Sequence, residues 1–176
     1  MGGTIGGRTA SEMPGLDIAE QRSWDNFLEA ALRVYGTLNK LLAERHGLTL
    51  PDVRLLDILS SSETGAARMG ELAGQLQSLP SRVTRQIHRL ERLGLVRREA
   101  SPHDGRGVLA GITDVGRVAI DEAMFTYAEA VRQRFLLPLT RSQMAALGEN
   151  CRRISSALQS DGANRRGRSS RGAAPA

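Results

Sequence analysis

Between Leu79 and Gly94 the chain reads LPSRVTRQIHRLERLG, four arginines and a histidine in sixteen residues beside Val83, Ile87 and Leu90. Guanidinium groups repeated along one helix suit an acidic polymer, because each presents a planar fork of donors to a phosphate or a guanine edge. A second feature of this kind follows at Asp104, Gly105 and Arg106. An Asp and an Arg two apart in a loop can pair and stiffen it, and an arginine at such a tip can enter a minor groove or bind its phosphates. Other chemistry is poorly supplied. His46, His88 and His103 are scattered with no ligand pair at helical spacing, which speaks against a metal site, and His103 reads as solvated. There is no Ser–His or Cys–His constellation and no glycine loop for phosphate, so neither an enzyme nor a cofactor is expected.

The charge is concentrated where those arginines lie. Net charge is +5, from 24 basic and 19 acidic residues, and Lys40 is the one lysine. Residues 1–77 carry a net −3, residues 78–106 a net +4, residues 107–160 a net +1 and residues 161–176 a net +3. A positive excess confined to one short segment and a tail is the usual footprint of a polyanion partner. No run of apolar residues reaches the ~20 needed to span a bilayer, and the start of the chain lacks a secretory pattern. One cysteine, Cys151, fits a reducing compartment, so a cytoplasmic protein is expected.

The positioning elements follow from periodicity. The 176 residues suit one compact domain with helical extensions. Residues 1–18 and the basic tail 161–176 are expected to be disordered, for want of large apolar side chains in an ordered pattern. The tail reads as a solubilising appendage, or as added non-specific affinity for DNA. Residues 19–160 form the domain. Trp24, Leu28, Ala31, Tyr35, Leu38 and Leu42 alternate by four and three along a first helix of about 20–46, which Gly47 closes. Pro51 opens a helix of roughly 51–61, and a short helix of roughly 69–76 follows.

Ser78 is a plausible N-cap for the basic helix and Gly94 its stop. Leu95–Glu99 and Val108–Ile112 read as two strands joined by a loop rich in proline and glycine. Thr113 caps a long helix to about Phe135, Pro138 ends it, and a last helix covers about 141–159. There Met144, Leu147, Cys151, Ile154 and Leu158 form a narrow seam. The fold expected is mostly α: a winged helix-turn-helix of about 50–113 with a two-stranded wing, between long N- and C-terminal helices. The apolar stripes of those helices, about 20–46 and 114–159, have no evident partner in so small a centre. Packing in a symmetric homodimer would cover them.

Projected at 100° per residue, Leu79, Val83, Ile87, Leu90 and Gly94 share the core-facing side of the basic helix. Ser81, Arg85, His88, Arg89 and Arg92 face outward, with Arg82 and Thr84 on the flanks and Glu91 to the side. The N-terminal half of a recognition helix goes deepest into the major groove, so Ser81, Arg82, Thr84 and Arg85 are the candidate base contacts. Arg89 and Arg92 are the candidate phosphate contacts. A winged-helix interaction module would present a mixed or acidic face here. A nucleoid-like binder without an operator remains the alternative, because charge alone confers non-specific affinity.

These residues together resemble the MarR family of bacterial transcriptional regulators. The resemblance lies in MGELAGQLQSLPSRVTRQIHRLERLGLVRRE, the wing SPHDGRGVLAGIT and the helix opening DVGR, and it covers about residues 22–158. It implies a dimer with interlocking terminal helices, a palindromic operator read by the basic helix, and the wing arginine, Arg106, at the minor groove. Many members carry Asp-Arg-Arg in the wing; Gly105 stands at the middle position here, as in a subgroup with DGRG. The resemblance also implies a ligand-responsive repressor, with a small anionic or phenolic effector seated between the dimerisation helices and the winged domain. Tyr35, His46 and Arg54 offer polar groups for such a pocket. Some members sense oxidants through cysteine, but Cys151 in the last seam reads as packing, with an intersubunit disulfide as the alternative.

Overall fold

The computed structural model describes the chain at residues 13–101 and 104–170, with side chains described for 13–100 and 108–160. Two units are distinguished, one ending at Val131 and one beginning at Arg132. The first runs α1 (Ile18–His46), α2 (Leu50–Ser61), β1 (Ala66–Arg68), α3 (Met69–Gln75), α4 (Pro80–Arg92), β2 (Val96–Ser101), β3 (Asp104–Ile112) and α5 (Asp114–Val131). The second holds a π-helical turn, Arg132–Leu136, and α6 (Arg141–Ser170). This is the mostly helical, winged architecture expected.

Local chemistry explains most of the boundaries. Asp17 and Glu20 close a capping box on α1, with hydrogen bonds of 2.8 Å in both directions. Order therefore begins before residue 19: Gln21 donates from Nε2 to the carbonyls of Met13 (3.1 Å) and Leu16 (2.9 Å), which ties residues 13–16 onto the helix. Gly47 ends α1 at φ 65°, its N–H bonded to Ala43 O at 3.1 Å. Thr49 and Asp52 form a second capping box, with Pro51 in the first turn of α2.

The core is built of Leu42, Leu55, Leu56, Leu59, Leu72, Val83, Ile87 and Leu90, all at 0 % exposure, with Ala110, Ile120 and Ala123 closing it from the sheet and α5. It is an aliphatic core, as the scarcity of aromatics requires.

Among the described residues three strands are present where two were expected. β3 is central in the order β1-β3-β2, all antiparallel. Ala66, Ala67 and Arg68 pair with Gly111, Ala110 and Leu109. Three residues with two alanines carry no alternation long enough to announce a strand; the open edge of β3 recruits them. The wing strands are also longer than the sequence suggested, because pairing runs on to Ser101↔Asp104. Between that pair and Ala100↔Val108 the register shifts, and among the described residues of β2 none pairs with Gly105, Arg106 or Gly107 of β3.

α5 begins against the base of the wing. Thr113 Oγ1 donates to Gly94 O (2.7 Å) and accepts from Gly116 N–H (3.0 Å), while Thr113 N–H donates to Leu95 O (3.1 Å). The helix ends at Val131 rather than near Phe135, and the π-helical turn takes over the last residues.

In the second unit Thr140 and Gln143 form a reciprocal cap at the start of α6. That helix runs to Ser170, beyond the expected end near 159 and through part of the segment read as a disordered tail. No proline interrupts it before Pro175, and Ala, Arg and Gln are good helix formers. Among the described residues no helix is long and apolar enough to cross a membrane.

The long apolar stripes are covered only in part. On α1, Leu38 and Leu42 are buried, but Trp24, Phe27, Leu32 and Tyr35 are exposed. On α6, Met144 and Leu147 are half-buried, and Cys151, Ile154 and Leu158 are exposed. Cys151 is thus an exposed free thiol.

Candidate nucleic-acid interface

The basic segment folds as α4, entered through a tight turn. α3 finishes with Ser78 N–H bonded to Ala73 O (3.0 Å) and Gln77 at φ 48°. Ser78 therefore serves the end of α3 and not the start of α4, whose N-cap is Leu79 without a side-chain bond. Pro80 at N1 supplies a pre-set φ and lacks the N–H a cap would have to satisfy. Leu79 sits before the first helical turn with φ −66° and ψ 138°, so the helical projection does not apply to it, and it is 61 % exposed instead of core-facing. At the other end Gly94 adopts φ 72°. Its N–H reaches Glu91 O (2.9 Å) and Leu95 N–H reaches Leu90 O (3.0 Å), which is the Schellman stop.

Val83, Ile87 and Leu90 seat α4 in the core, and this seating turns the opposite face out. Ser81, Arg82, Thr84, Arg85, His88 and Arg92 are exposed there. Thr84 donates its hydroxyl to Pro80 O (2.9 Å), leaving its methyl group and lone pairs outward. Among the described residues Arg82, Arg85 and Arg92 have no ion pair, so their guanidinium groups stand available to an outside anion.

Arg89 departs from the expected pattern. Its Nη1 pairs with the carboxylate of Asp52, which is 2 % exposed, and its Nη2 donates to Gly47 O at 2.8 Å. The side chain is turned back toward the protein, and its guanidinium is already hydrogen-bonded there. The reason is non-local: folding brings a buried carboxylate and the C-terminus of α1 within its reach, and both attract a cation.

Glu91, read as pointing sideways, accepts from Arg98 Nε of β2 at 2.9 Å, and the ring of His88 lies beside both. The C-terminal half of α4 is thereby fastened to the wing. Asp104 and Arg106 stand at the start of β3, Arg106 in the register shift; their side chains, and His103 entirely, lie outside the described residues.

An open cleft of about 350 Å³ lies between the first turn of α2 and α4, lined by Thr49, Pro51, Asp52, Arg82, Arg85, Gln86 and Arg89. Sequence reasoning missed Thr49 and Asp52 as members of this region. The TLPD spacing of a capping box was the available signal, though it says nothing of Arg89.

Of the residues suggested for an effector, His46 and Tyr35 lie well apart on α1. His46 Nε2 bonds Thr126 Oγ1 at 2.8 Å, an α1–α5 tie, while Tyr35 and Arg54 are exposed. Tyr35 lies eleven residues before His46 on the same helix, ~16 Å away at 1.5 Å per residue. No group of three or more His, Cys, Asp or Glu suited to a metal occurs among the described residues.

The MarR family model matches residues 48–108, from just before α2 into the second wing strand. The HTH-type transcriptional repressor MdtR of Bacillus subtilis is 26% identical over 118 residues, covering 67% of this chain and 74% of that protein. AbsC, a MarR family transcriptional regulator from Streptomyces coelicolor, superposes with a TM-score of 0.78 at 30% identity, over 84% of this chain and 99% of AbsC. A second MarR family regulator of that organism, solved in complex with DNA, superposes with a TM-score of 0.78 at 34% identity, over 81% and 93% of the two chains.

Proposed function

This chain belongs to the MarR family of transcriptional regulators, and from that membership we propose that it binds a palindromic operator as a homodimer and represses until a small effector releases it. α4 enters the major groove, with Ser81, Arg82, Thr84 and Arg85 toward the bases and Arg92 toward the phosphates. Arg89 is left out of that set, since its guanidinium is already committed to Asp52 and Gly47. Asp104 and Arg106 of the wing reach the neighbouring minor groove.

One observation carries the reading. α4 is fully buried along Val83, Ile87 and Leu90, and the face this leaves outward holds three arginines without an ion pair among the described residues. A helix seated so firmly offers those groups to an outside anion as a rigid set, which is what reading a sequence demands. The relative solved in complex with DNA, at 34% identity, supports DNA as the partner.

A homodimer is supported by the uncovered apolar residues of α1 and α6. A pair of copies related by two-fold symmetry would cover Trp24, Phe27, Ile154 and Leu158 and present two copies of α4 to successive major grooves. The effector class proposed, anionic or phenolic, follows from family membership.

A gel shift and footprint on DNA flanking the protein's own gene, at ~150 mM salt with excess competitor, tests the proposal. The expected result is a protected two-fold symmetric site with half-sites about one helical turn apart. Protection that competitor abolishes on every probe, including duplexes enriched by the protein from a random pool, would instead mark a non-specific binder.

A further inference from the structure

Three groups converge on the buried carboxylate of Asp52, and its backbone N–H closes the cap. The N–H of Thr49 donates to Oδ2 at 2.8 Å, the Thr49 hydroxyl reaches the same oxygen at 2.5 Å, Arg89 pairs with it, and Asp52 N–H in turn uses Thr49 Oγ1 at 3.3 Å. One side chain therefore completes the cap of α2 and anchors α4. Arg89 spends its other nitrogen on Gly47 O, the C-terminal carbonyl of α1. A single guanidinium thus spans the α1–α2 corner from the flank of α4.

The other attachments of α4 are the apolar Val83, Ile87 and Leu90 and, on the wing side, the Glu91–Arg98 pair beside His88. Apolar contacts of that kind fix depth well and rotation about the helix axis poorly, because they are non-directional. Rotation is what base reading is sensitive to. A turn of about 15° moves a group ~6 Å from the axis by roughly 1.6 Å, against the ~0.5 Å a preorganised site tolerates. The Glu91–Arg98 pair holds the wing side of the helix, and a forked, two-partner hydrogen bond from Arg89 holds the opposite side against the α1–α2 corner. Lysine could not replace it, since an ammonium on a flexible stem lacks the rigid fork that holds two acceptors at a set angle. Release of Arg89 to a phosphate would strand a buried carboxylate, a larger loss than an exposed phosphate contact returns.

We infer that Asp52 and Arg89 form a positioning pair, touching no DNA, that sets the rotation at which α4 presents Ser81, Arg82, Thr84 and Arg85 and hence the discrimination among sequences. The inference rests on the operator-binding role proposed above. It adds a specificity determinant that lies off the DNA-facing surface, at the corner joining α1 to the winged domain.

The test uses the full chain and a duplex that the wild-type protein selects from a random pool, beside a scrambled duplex of equal length. Affinity for both is measured from 50 to 300 mM salt for Asp52→Asn, Arg89→Gln and Arg89→Lys. The expected result is a loss on the order of tenfold on the selected duplex, the worth of one good base contact, with under about twofold loss on the scrambled one. Asp52→Asn lowers discrimination although Asp52 has no access to DNA, and for the same reason it leaves the salt slope unchanged. The double variant Asp52→Asn/Arg89→Gln is no worse than the worse single, as members of one interaction require.

A phosphate-binding Arg89 would behave differently. Arg89→Gln would then weaken both duplexes alike and lower the salt slope by about one per protomer, while Asp52→Asn did nothing; that pattern overturns the inference. Should Asp52→Asn lack a cooperative melt, Arg89→Lys decides: it keeps the charge, and unaltered discrimination between the duplexes overturns the pair's role. A wild-type protein that selects no sequence overturns the operator reading as well, whereas one that selects a site its variants still distinguish overturns only this inference.

Discussion

Gly116, in the first turn of α5, is where two physical effects of opposite sign meet on one methyl group. Helix propensity alone makes Gly116→Ala stabilising by ~1 kcal/mol. The structure says otherwise: an added Cβ would lie 2.1 Å from Leu95 O and 2.9 Å from Ile112 Cγ1. A carbonyl oxygen of the backbone cannot swing aside as a side chain does, so α5 must lift by about an ångström. That displacement strains the bonds Thr113 makes to Gly94 O and Leu95 O and the one it accepts from Gly116 N–H. Losing two of them at ~1 kcal/mol each, with ~1–3 kcal/mol for overpacking, exceeds the propensity gain. The net is a destabilisation of about 2–4 kcal/mol, or about 4–16 °C in melting temperature for a chain of this size. Thermal melting by circular dichroism at fixed protein concentration is the assay, since association would otherwise shift the midpoint. A variant that melts at or above the wild-type temperature would refute the argument that the wing base and α5 are held at backbone contact.

Other substitutions separate the roles assigned along α4 and between subunits. Arg85→Ala should cost about 1–3 kcal/mol of operator affinity and relax preference at one base pair, whereas Arg92→Ala should weaken all duplexes alike and lower the salt slope by about one; equal behaviour in quantitative gel shifts would contradict the assignment. Ile87→Ala should cost ~2–5 kcal/mol in denaturant unfolding because the side chain is fully buried, and Leu79→Ala, at 61 % exposure, should stay within ~0.5 kcal/mol. Trp24→Glu, on the uncovered stretch of α1, should raise the dissociation constant of the dimer in sedimentation equilibrium and abolish the operator shift at low protein concentration. Unchanged association would place the interface elsewhere.

Much of the interface was legible residue by residue. Val83, Ile87 and Leu90 recur at helical spacing, and burial on that side turns Ser81, Arg82, Arg85 and Arg92 outward whatever else the chain does. Gly47 and Gly94 are stops because each takes a positive φ that costs glycine little. Thr113 caps α5 by a bond three residues on, again a local matter. Leu79 shows the limit of such projection, since one residue before the first turn the backbone is extended and the face it was assigned no longer exists.

What the sequence by itself determined, then, was what local periodicity and caps can encode: the helices, the turn, the inner parts of the two wing strands and the sign of the face proposed to meet DNA. The tertiary structure alone decided the pairings across the chain. β1 exists because the edge of β3 is open to Ala66–Arg68, and no pattern within three residues could say so. Arg89 turns from solvent to Asp52 and Gly47 because folding brings a buried carboxylate and a helix C-terminus within reach of a long side chain. Its place on the helix is local, but the direction of its guanidinium is set by which partners the fold delivers, and those lie some forty residues away in sequence.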